Sequence, residues 1–276
     1  MTEKPHQAVK AYHSRKFMES PDARPVRLLS QYLEPLERCE EHNIKDTILV
    51  FDSARIKSRE QAEAMVVAAR QTEGLEAAEK ALHMSHYYED ARQLAHRLTE
   101  WSKGLNDPGR RFVICSGGGQ GIMKGANRRA SEAKGENMGL GISLPLEEDN
   151  NPFITCRLDC QFHYFFMRKF WFLFLAKALM MMPGGVGTMD EFFESLTLGQ
   201  TKMIKKNPLI VLYSSEFWDE VINFDALVRF GTISAEDVNL FYRSDSVDDA
   251  FKYIINQLTE YVAGQYVRLA RGKVKV

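Results

Sequence analysis

The stretch ALMMMPGGVGTMDE, residues 178–191, passes from an uninterrupted apolar segment through a proline and a cluster of glycines into residues that open a helix-like run at 192–200. The order strand, glycine turn, helix start builds an anion site, because backbone N–H groups at a helix N-terminus converge on a phosphate and absent β-carbons let it approach. A second turn of this kind lies upstream. Residues 112–115 are β-rich, SGGGQG follows at 116–121, and residues 122–134 carry apolar side chains at helical spacing. One glycine cluster can be a tight loop with no ligand; two at equivalent strand-to-helix positions imply a nucleotide.

Neither turn fits the commonest templates. The Walker pattern needs Lys-Ser/Thr closing its glycine loop, and the segment Gly119-Gln-Gly121 with its flanks matches only part of the dinucleotide fingerprint, so NAD is set aside. Outward from the turns, the pattern predicts strands at 47–51, 111–115, 138–143, 178–182 and 208–213. Helices are predicted at 26–39, 122–134, 164–177, 189–201, 216–230 and 247–263, with two more between 58 and 101 that break near His83 to His86. Strands alternating with helices imply right-handed βαβ units, hence an α/β fold with a doubly wound parallel sheet and helices on both faces. Ligands in such sheets sit at the carboxyl ends of the strands, where both turns fall. Residues 1–43, punctuated by Pro5, Pro21, Pro25 and Pro35, form an N-terminal helical extension with a leucine face of Leu29, Leu33 and Leu36. Residues 44–276 are expected to form a single domain.

The chain of 276 residues is 45% hydrophobic and 26% charged, with a formal net charge of −1. That balance supplies no basic excess for nucleic acid or an anionic membrane, leaving small ligands as partners. Cys39, Cys115, Cys156 and Cys160 form no Cys-x-x-Cys pair and have no His at zinc-ligand spacing, so free thiols and no metal are expected. The polar start MTEKPH lacks the apolar region of a secretory signal, and the apolar stretch 170–182 falls short of the ~20 residues of a membrane helix. A cytoplasmic protein is the expectation.

Thr188-Met-Asp-Glu191 has the form of a capping box, in which Thr188 caps the helix and Glu191 reaches back to the cap N–H. Asp190 and Glu191, in the first helical turn on that reading, are also placed to meet the ribose of a nucleotide held by the turn. Arg168 and Lys169 stand among Phe166, Phe170, Trp171 and Phe172, and buried cations need anionic partners: a substrate phosphate, or the carboxylates of Asp190 and Glu191. Glu147, just after the third predicted strand, is a further cleft candidate.

Taken in order, Ser116-Gly-Gly-Gly-Gln-Gly-Ile-Met123, Leu144-Pro-Leu-Glu147, Met167-Arg-Lys169 and Pro183-Gly-Gly-Val-Gly-Thr-Met-Asp-Glu191 resemble the Lonely Guy (LOG) family of nucleoside 5'-monophosphate phosphoribohydrolases. Val50-Phe-Asp-Ser-Ala-Arg55, Tyr88-Glu-Asp-Ala-Arg92 and Leu196-Thr-Leu-Gly-Gln-Thr201 are similar to its longer bacterial branch. The resemblance spans about residues 47–245. It implies a Rossmann-like fold, a homodimer or higher homo-oligomer, and hydrolysis of the N-glycosidic bond of AMP or an N6-substituted cytokinin riboside monophosphate to free base and ribose 5-phosphate. By the same resemblance, Arg168 and Glu191 are the catalytic pair. Lys169, Glu147, the turn glycines Gly118, Gly119 and Gly121, and Gly184, Gly185, Val186, Gly187, Thr188, Met189 and Asp190 bind substrate, and Thr197 adds a polar contact. No cofactor is implied. Members have been labelled lysine decarboxylases, but nothing in the sequence argues for a pyridoxal phosphate site.

One departure is visible: the first strand of the family ends in Gly-Ser, and here it ends in Asp52-Ser53, adding a carboxylate near the expected cleft. The chemistry suits the residues. N-glycoside cleavage passes through an oxocarbenium-like state that the Glu191 carboxylate can stabilise while orienting water, and the fork of Arg168 can orient that carboxylate or the ribose hydroxyls. The alternative on the same scaffold is a non-catalytic nucleotide or molybdenum-cofactor carrier, whose glycine turns bind and hydrolyse nothing.

Overall fold

Thr47–Phe51, strand β1, has the sequence TILVF and is buried at every position, as a strand covered on both faces must be. The structure is a computed structural model that describes residues 8–70, 74–105, 109–143, 151–203 and 208–270, with side-chain environments through residue 264. Helices α1 (Arg15–Met18) and α2 (Arg24–Glu41) precede β1. After it come α3 (Arg59–Ala69), α4 (Leu75–Lys103), β2 (Val113–Ser116), α5 (Ile122–Glu132), β3 (Asn137–Ile142), β4 (Asp159–Phe162) and α6 (Phe165–Phe174). The chain ends with β5 (Ala176–Met181), α7 (Val186–Gln200), β6 (Leu209–Tyr213), α8 (Ser215–Val221), α9 (Phe224–Arg229), β7 (Tyr242–Ser244) and α10 (Val247–Ala270).

The seven strands form one sheet in the order β4-β3-β2-β1-β5-β6-β7, and every neighbouring pair is parallel. Alternation along the strands divides the core in two. Ile48, Val50, Ile114, Ala178, Met180 and Val211 face α4, α5 and α10 through Leu94, Leu98, Ile122, Ala126 and Ile254. Leu49, Phe51, Cys115, Leu140, Leu179 and Leu212 face Trp171 and Phe172 of α6, Phe192 of α7 and Trp218 of α8. This is the Rossmann-like, doubly wound α/β fold. The chain builds outward from β1 to β4, returns through α6, and builds the other way from β5 to β7, so the strand order reverses between β1 and β5. A crevice opens outside the carboxyl ends of the strands at such a reversal.

Several elements differ from the pattern-based expectation. The first long helical region breaks between Ala69 and Leu75, before Gly74 with φ of 129°, and not at His83–His86, which lie within α4. There the polar groups are satisfied inside the helix: Ser85 Oγ donates to the Leu82 carbonyl, and His86 Nδ1 meets the His83 carbonyl, each at 2.6 Å. Strands β4 and β7 are not anticipated, because four and three residues with one or two inward apolar side chains give no legible period. The helix expected over 216–230 is two helices, because Ile222 is extended and Asn223 Oδ1 caps a new start by accepting from Ala226 N at 2.8 Å. In α2 only Leu36 of the leucine face packs against the core, while Leu29 and Leu33 are 61% and 55% exposed. Polar groups tie α2 down as well, with Trp171 Nε1 donating to the Gln31 carbonyl at 2.9 Å and Arg38 Nη1 to the Asp159 carbonyl at 2.9 Å. All four cysteines are free thiols. Among the described residues no helix is long and apolar enough to cross a membrane.

The loop after β1 rests on Gly121, which opens α5 with φ of 67°; a β-carbon there would strike the Ser53 carbonyl and Ala54. Gly121→Ala is therefore expected to cost about 1–3 kcal/mol or more in urea unfolding, from left-handed strain plus the clash. Gly264→Ala, where a β-carbon meets nothing within 4 Å inside α10, is expected to hold or raise stability.

Candidate active site

At the β1/β5 reversal lies a cleft of about 490 Å³ lined by residues 51–55, Gly117, Met123, Phe165, Arg168, Phe172, Gly185, Val186, Gly187, Thr188 and Glu191. Its far wall is the start of α7. That helix begins at Val186, three residues earlier than the pattern suggests, with Gly185 as its N-cap and no side chain capping it. The expected capping box is therefore absent. Thr188 is the third helical residue, and its Oγ1 donates at 2.9 Å to the carbonyl of Asp52 at the end of β1. Glu191 falls in the second turn and does not reach back to the cap. The glycines make this start possible: a β-carbon on Gly184 would collide with the Thr188 hydroxyl, and Gly185 and Gly187 face open space. An uncapped helix N-terminus at the mouth of a cleft, with Val186 86% exposed, presents its first-turn N–H groups and positive dipole end to an anion.

Glu191 lies one turn further along the same face. It is 5% exposed, and its Oε2 is buried with no hydrogen-bond partner among the described residues. Burial pushes its carboxyl up to about 7, reinforced by Glu194 and Asp190 and opposed by Lys169 and Arg168. Its neighbours are arranged so that it stays unpaired: Lys169 Nζ donates to Asp190 Oδ2 at 2.8 Å and lies 3.0 Å from Glu194 Oε2. Burial works against the Lys169 charge, but those hydrogen bonds outweigh it and hold the amine above the usual lysine range.

Arg168, adjacent to Lys169 in sequence, turns the other way into the cleft. Its Nε donates to the Leu140 carbonyl at 2.8 Å and its Nη2 to the Gly117 carbonyl at 3.3 Å, while the guanidinium sits 4.8 Å from the ring centre of Phe172. A β-carbon on Gly117 would lie 2.5 Å from Nη2. Thus β2 and β3 fix the guanidinium on the side of the cleft opposite α7.

Of the residues expected from sequence, Arg168, Gly185, Val186, Gly187, Thr188 and Glu191 meet in this cleft. Gly184 packs against Thr188 beneath it. Met189, Asp190 and Thr197 line a separate shallow depression on the outer face of α7, sharing only Val186 with the cleft, and Lys169 stands over that side. Thr197 Oγ1 donates to the Phe193 carbonyl within its own helix. Gly118, Gly119 and Gly121 do not line the cleft; Gly118 N donates to Ser116 Oγ at 3.1 Å, and Gly121 supports residues 53–54. Glu147 lies outside the described residues. Sequence reasoning did not assign Phe51, residues 53–55, Gly117, Met123, Phe165 or Phe172 to the site, although Phe51, residues 53–55, Gly117 and Met123 stand within motifs quoted above.

The chain has counterparts among known proteins. Residues 123–254 match the family described as possible lysine decarboxylase, the LOG-family domain. Solved structures of similar fold include the X-ray structure of TM1055, a structural-genomics target, at 16% identity and a TM-score of 0.47, covering 76% of this chain and 99% of that one. The molybdenum cofactor carrier protein MCP from Chlamydomonas reinhardtii has 15% identity and a TM-score of 0.45, over 78% of this chain and 99% of its own. The molybdenum cofactor binding protein from the phototrophic bacterium Rippkaea orientalis has 13% identity and a TM-score of 0.45, over 78% and 96%. No curated protein matches the sequence.

The burial of Glu191 has a measurable cost. A carboxyl whose folded pKa lies above its unfolded value stabilises the fold in its protonated form; that contribution is complete below about pH 4 and is lost as pH rises through about 7. Above pH 7 the ionised group then opposes folding by on the order of 3 kcal/mol, since each tenfold loss of acidity on folding is worth about 1.4 kcal/mol. Glu191→Gln is expected to be more stable than the parent by that order at pH 8 and equal to it below about pH 4. Equal denaturation midpoints at pH 8 would contradict the assignment.

Proposed function

We propose that this chain, whose residues 123–254 carry the LOG-family domain, hydrolyses the N-glycosidic bond of a nucleoside 5'-monophosphate, AMP or an N6-substituted riboside monophosphate, releasing the base and ribose 5-phosphate. The observation that carries this reading is Glu191: a buried carboxylate with a free oxygen, one helical turn beyond an uncapped N-terminus in the same cleft. The N-terminus of α7 suits the 5'-phosphate, and one turn along the helix spans roughly the 5 Å between a phosphate and the sugar it carries. Glu191 then faces the anomeric carbon, where its negative charge stabilises the oxocarbenium-like state and its Oε2 accepts the proton of the attacking water. A pKa near 7 leaves it partly ionised at neutral pH and able to take that proton. Arg168, braced by two main-chain carbonyls, orients the ribose hydroxyls, and Phe165 and Phe172 offer an aromatic wall for the base.

A panel of nucleoside monophosphates assayed for ribose 5-phosphate tests this. AMP or an N6-substituted AMP is expected to turn over in the presence of a chelator, and adenosine far more slowly, because phosphate binding positions the sugar. Glu191→Gln is expected to fold and to bind AMP while kcat falls ~10²-fold or more. Arg168→Ala should lose turnover and some binding. Nucleotide binding with no ribose 5-phosphate released by the parent protein would replace the enzyme with a carrier.

The same reading includes self-association. Helix α6 leaves Phe165, Phe166, Phe170 and Phe174 exposed, and α2, in ring contact with it through Tyr32 and Phe170, exposes Val26, Leu29 and Leu33. So many large apolar groups on two touching helices fit an isologous interface. Light scattering at micromolar concentration is expected to give a dimer or a multiple of it; a monodisperse 31.6 kDa species would refute this.

A further inference from the structure

Asp52 follows β1 in the cleft and has no part in the chemistry above. The residue is partly exposed, but both carboxylate oxygens are buried and neither has a hydrogen-bond partner of normal geometry among the described residues. Buried polar side chains are normally satisfied, and a carboxylate left without any donor is among the most costly groups to bury. The residue lines the same cavity as Arg168 and Glu191, and its carbonyl is fixed by Thr188 Oγ1 at 2.9 Å. Thr188 and Glu191 are three apart on α7 and so lie on one face about 5–6 Å apart, and the main chain of Asp52 abuts that face. Burial holds the Asp52 carboxyl well above the usual carboxylate range, against the Met123 N–H, which acts the other way without completing a hydrogen bond of normal geometry. Burial thus favours the protonated form, which carries one O–H donor beside one carbonyl acceptor.

Resting on the reading of the cleft as an N-ribosyl hydrolase, we infer that Asp52 is a further catalytic residue, the acid that protonates the departing base. A 6-aminopurine offers the matching edge, with N7 as acceptor and the exocyclic N–H as donor, and an N6-substituted base keeps one such N–H. As the bond from C1' to N9 breaks, its electron pair goes to the base and the Asp52 proton moves to N7. The water oxygen bonds to C1' and its proton passes to Glu191. Exchange with solvent then returns a proton to Asp52 and removes one from Glu191, so the net change is the addition of one water.

The test compares AMP with 4-nitrophenyl ribose 5-phosphate, whose leaving nitrophenolate needs no proton. For Asp52→Asn, kcat/KM on AMP is expected to fall ~10²-fold or more while the nitrophenyl substrate loses less than about tenfold. Asp52→Gly should show the same split, and turnover of the nitrophenyl substrate reports that each variant is folded. A second measurement needs no variant: IMP presents two acceptors on that edge, so the parent protein should favour AMP over IMP by at least about tenfold. Equal losses on both substrates, unchanged AMP turnover, or equal use of AMP and IMP would each overturn the assignment while leaving the hydrolase reading intact. A parent protein that cleaves neither AMP nor the nitrophenyl compound overturns the hydrolase reading itself, and Asp52 with it.

Discussion

The hydrogen bond from Thr188 Oγ1 to the Asp52 carbonyl ties the start of α7, which follows β5, to the end of β1 where the sheet changes direction, and the site depends on it. Threonine at this spacing would ordinarily cap its own helix. Because the hydroxyl is committed to β1, the start of α7 is left without a side-chain cap, and its N–H groups stay available at the cleft. The bond also sets the rotation of α7 about its axis, which turns Glu191 inward and Asp190 and Glu194 outward toward Lys169. Gly184 is the corollary, since any side chain there would occupy the volume of the hydroxyl.

Rotation of α7 also sorts its charges. Three carboxylates lie within five residues, and two of them share one ammonium on the outer face. The third is left in a nearly dry environment where each nearby charge acts with little screening. Lys169 and Arg168 favour its ionised form, yet burial outweighs them. A glutamate paired directly with either cation would be ionised at every physiological pH, and too weakly basic to take a proton from water. Separation of the ion pair from Glu191 is what leaves its carboxyl titrating at about 7, the basicity that the proposed reaction requires of it.

Legibility in the sequence followed the strength of local signals. The buried strands β1, β5 and β6 are uninterrupted apolar runs, and both glycine turns are visible as sharp breaks after them, so the layer architecture and the position of the cleft could be read directly. Strands β4 and β7 were not legible because their stability comes from pairing to β3 and β6, a tertiary property with no period of its own. The break after α3 was signalled by Gly74, but a cluster of histidines looked like a stronger interruption than it is once their polar atoms bond within the helix. Arg168, Glu191 and the glycines of 184–187 are a sequence-level signal. The roles of Arg168 and Lys169 were not separable there, because a helix sends consecutive residues about 100° apart and only packing decides which one enters the cleft.

The two glycine turns, alike in sequence, are unlike in use. In the first, Ser116 takes the Gly118 N–H and also bonds Asn127, and the missing β-carbon of Gly121 makes room for the main chain after β1. Its glycines are filled by the protein itself. In the second, Gly185 and Gly187 face open space, so the same lack of side chains leaves room for a ligand. A glycine-rich strand-to-helix turn therefore specifies close approach of something to the backbone; whether that partner is the chain or a phosphate is decided by what the neighbouring strand places opposite it. Here β1 places residues 52–54 over the first turn, and by doing so brings Asp52 into the lining of the cleft served by the second.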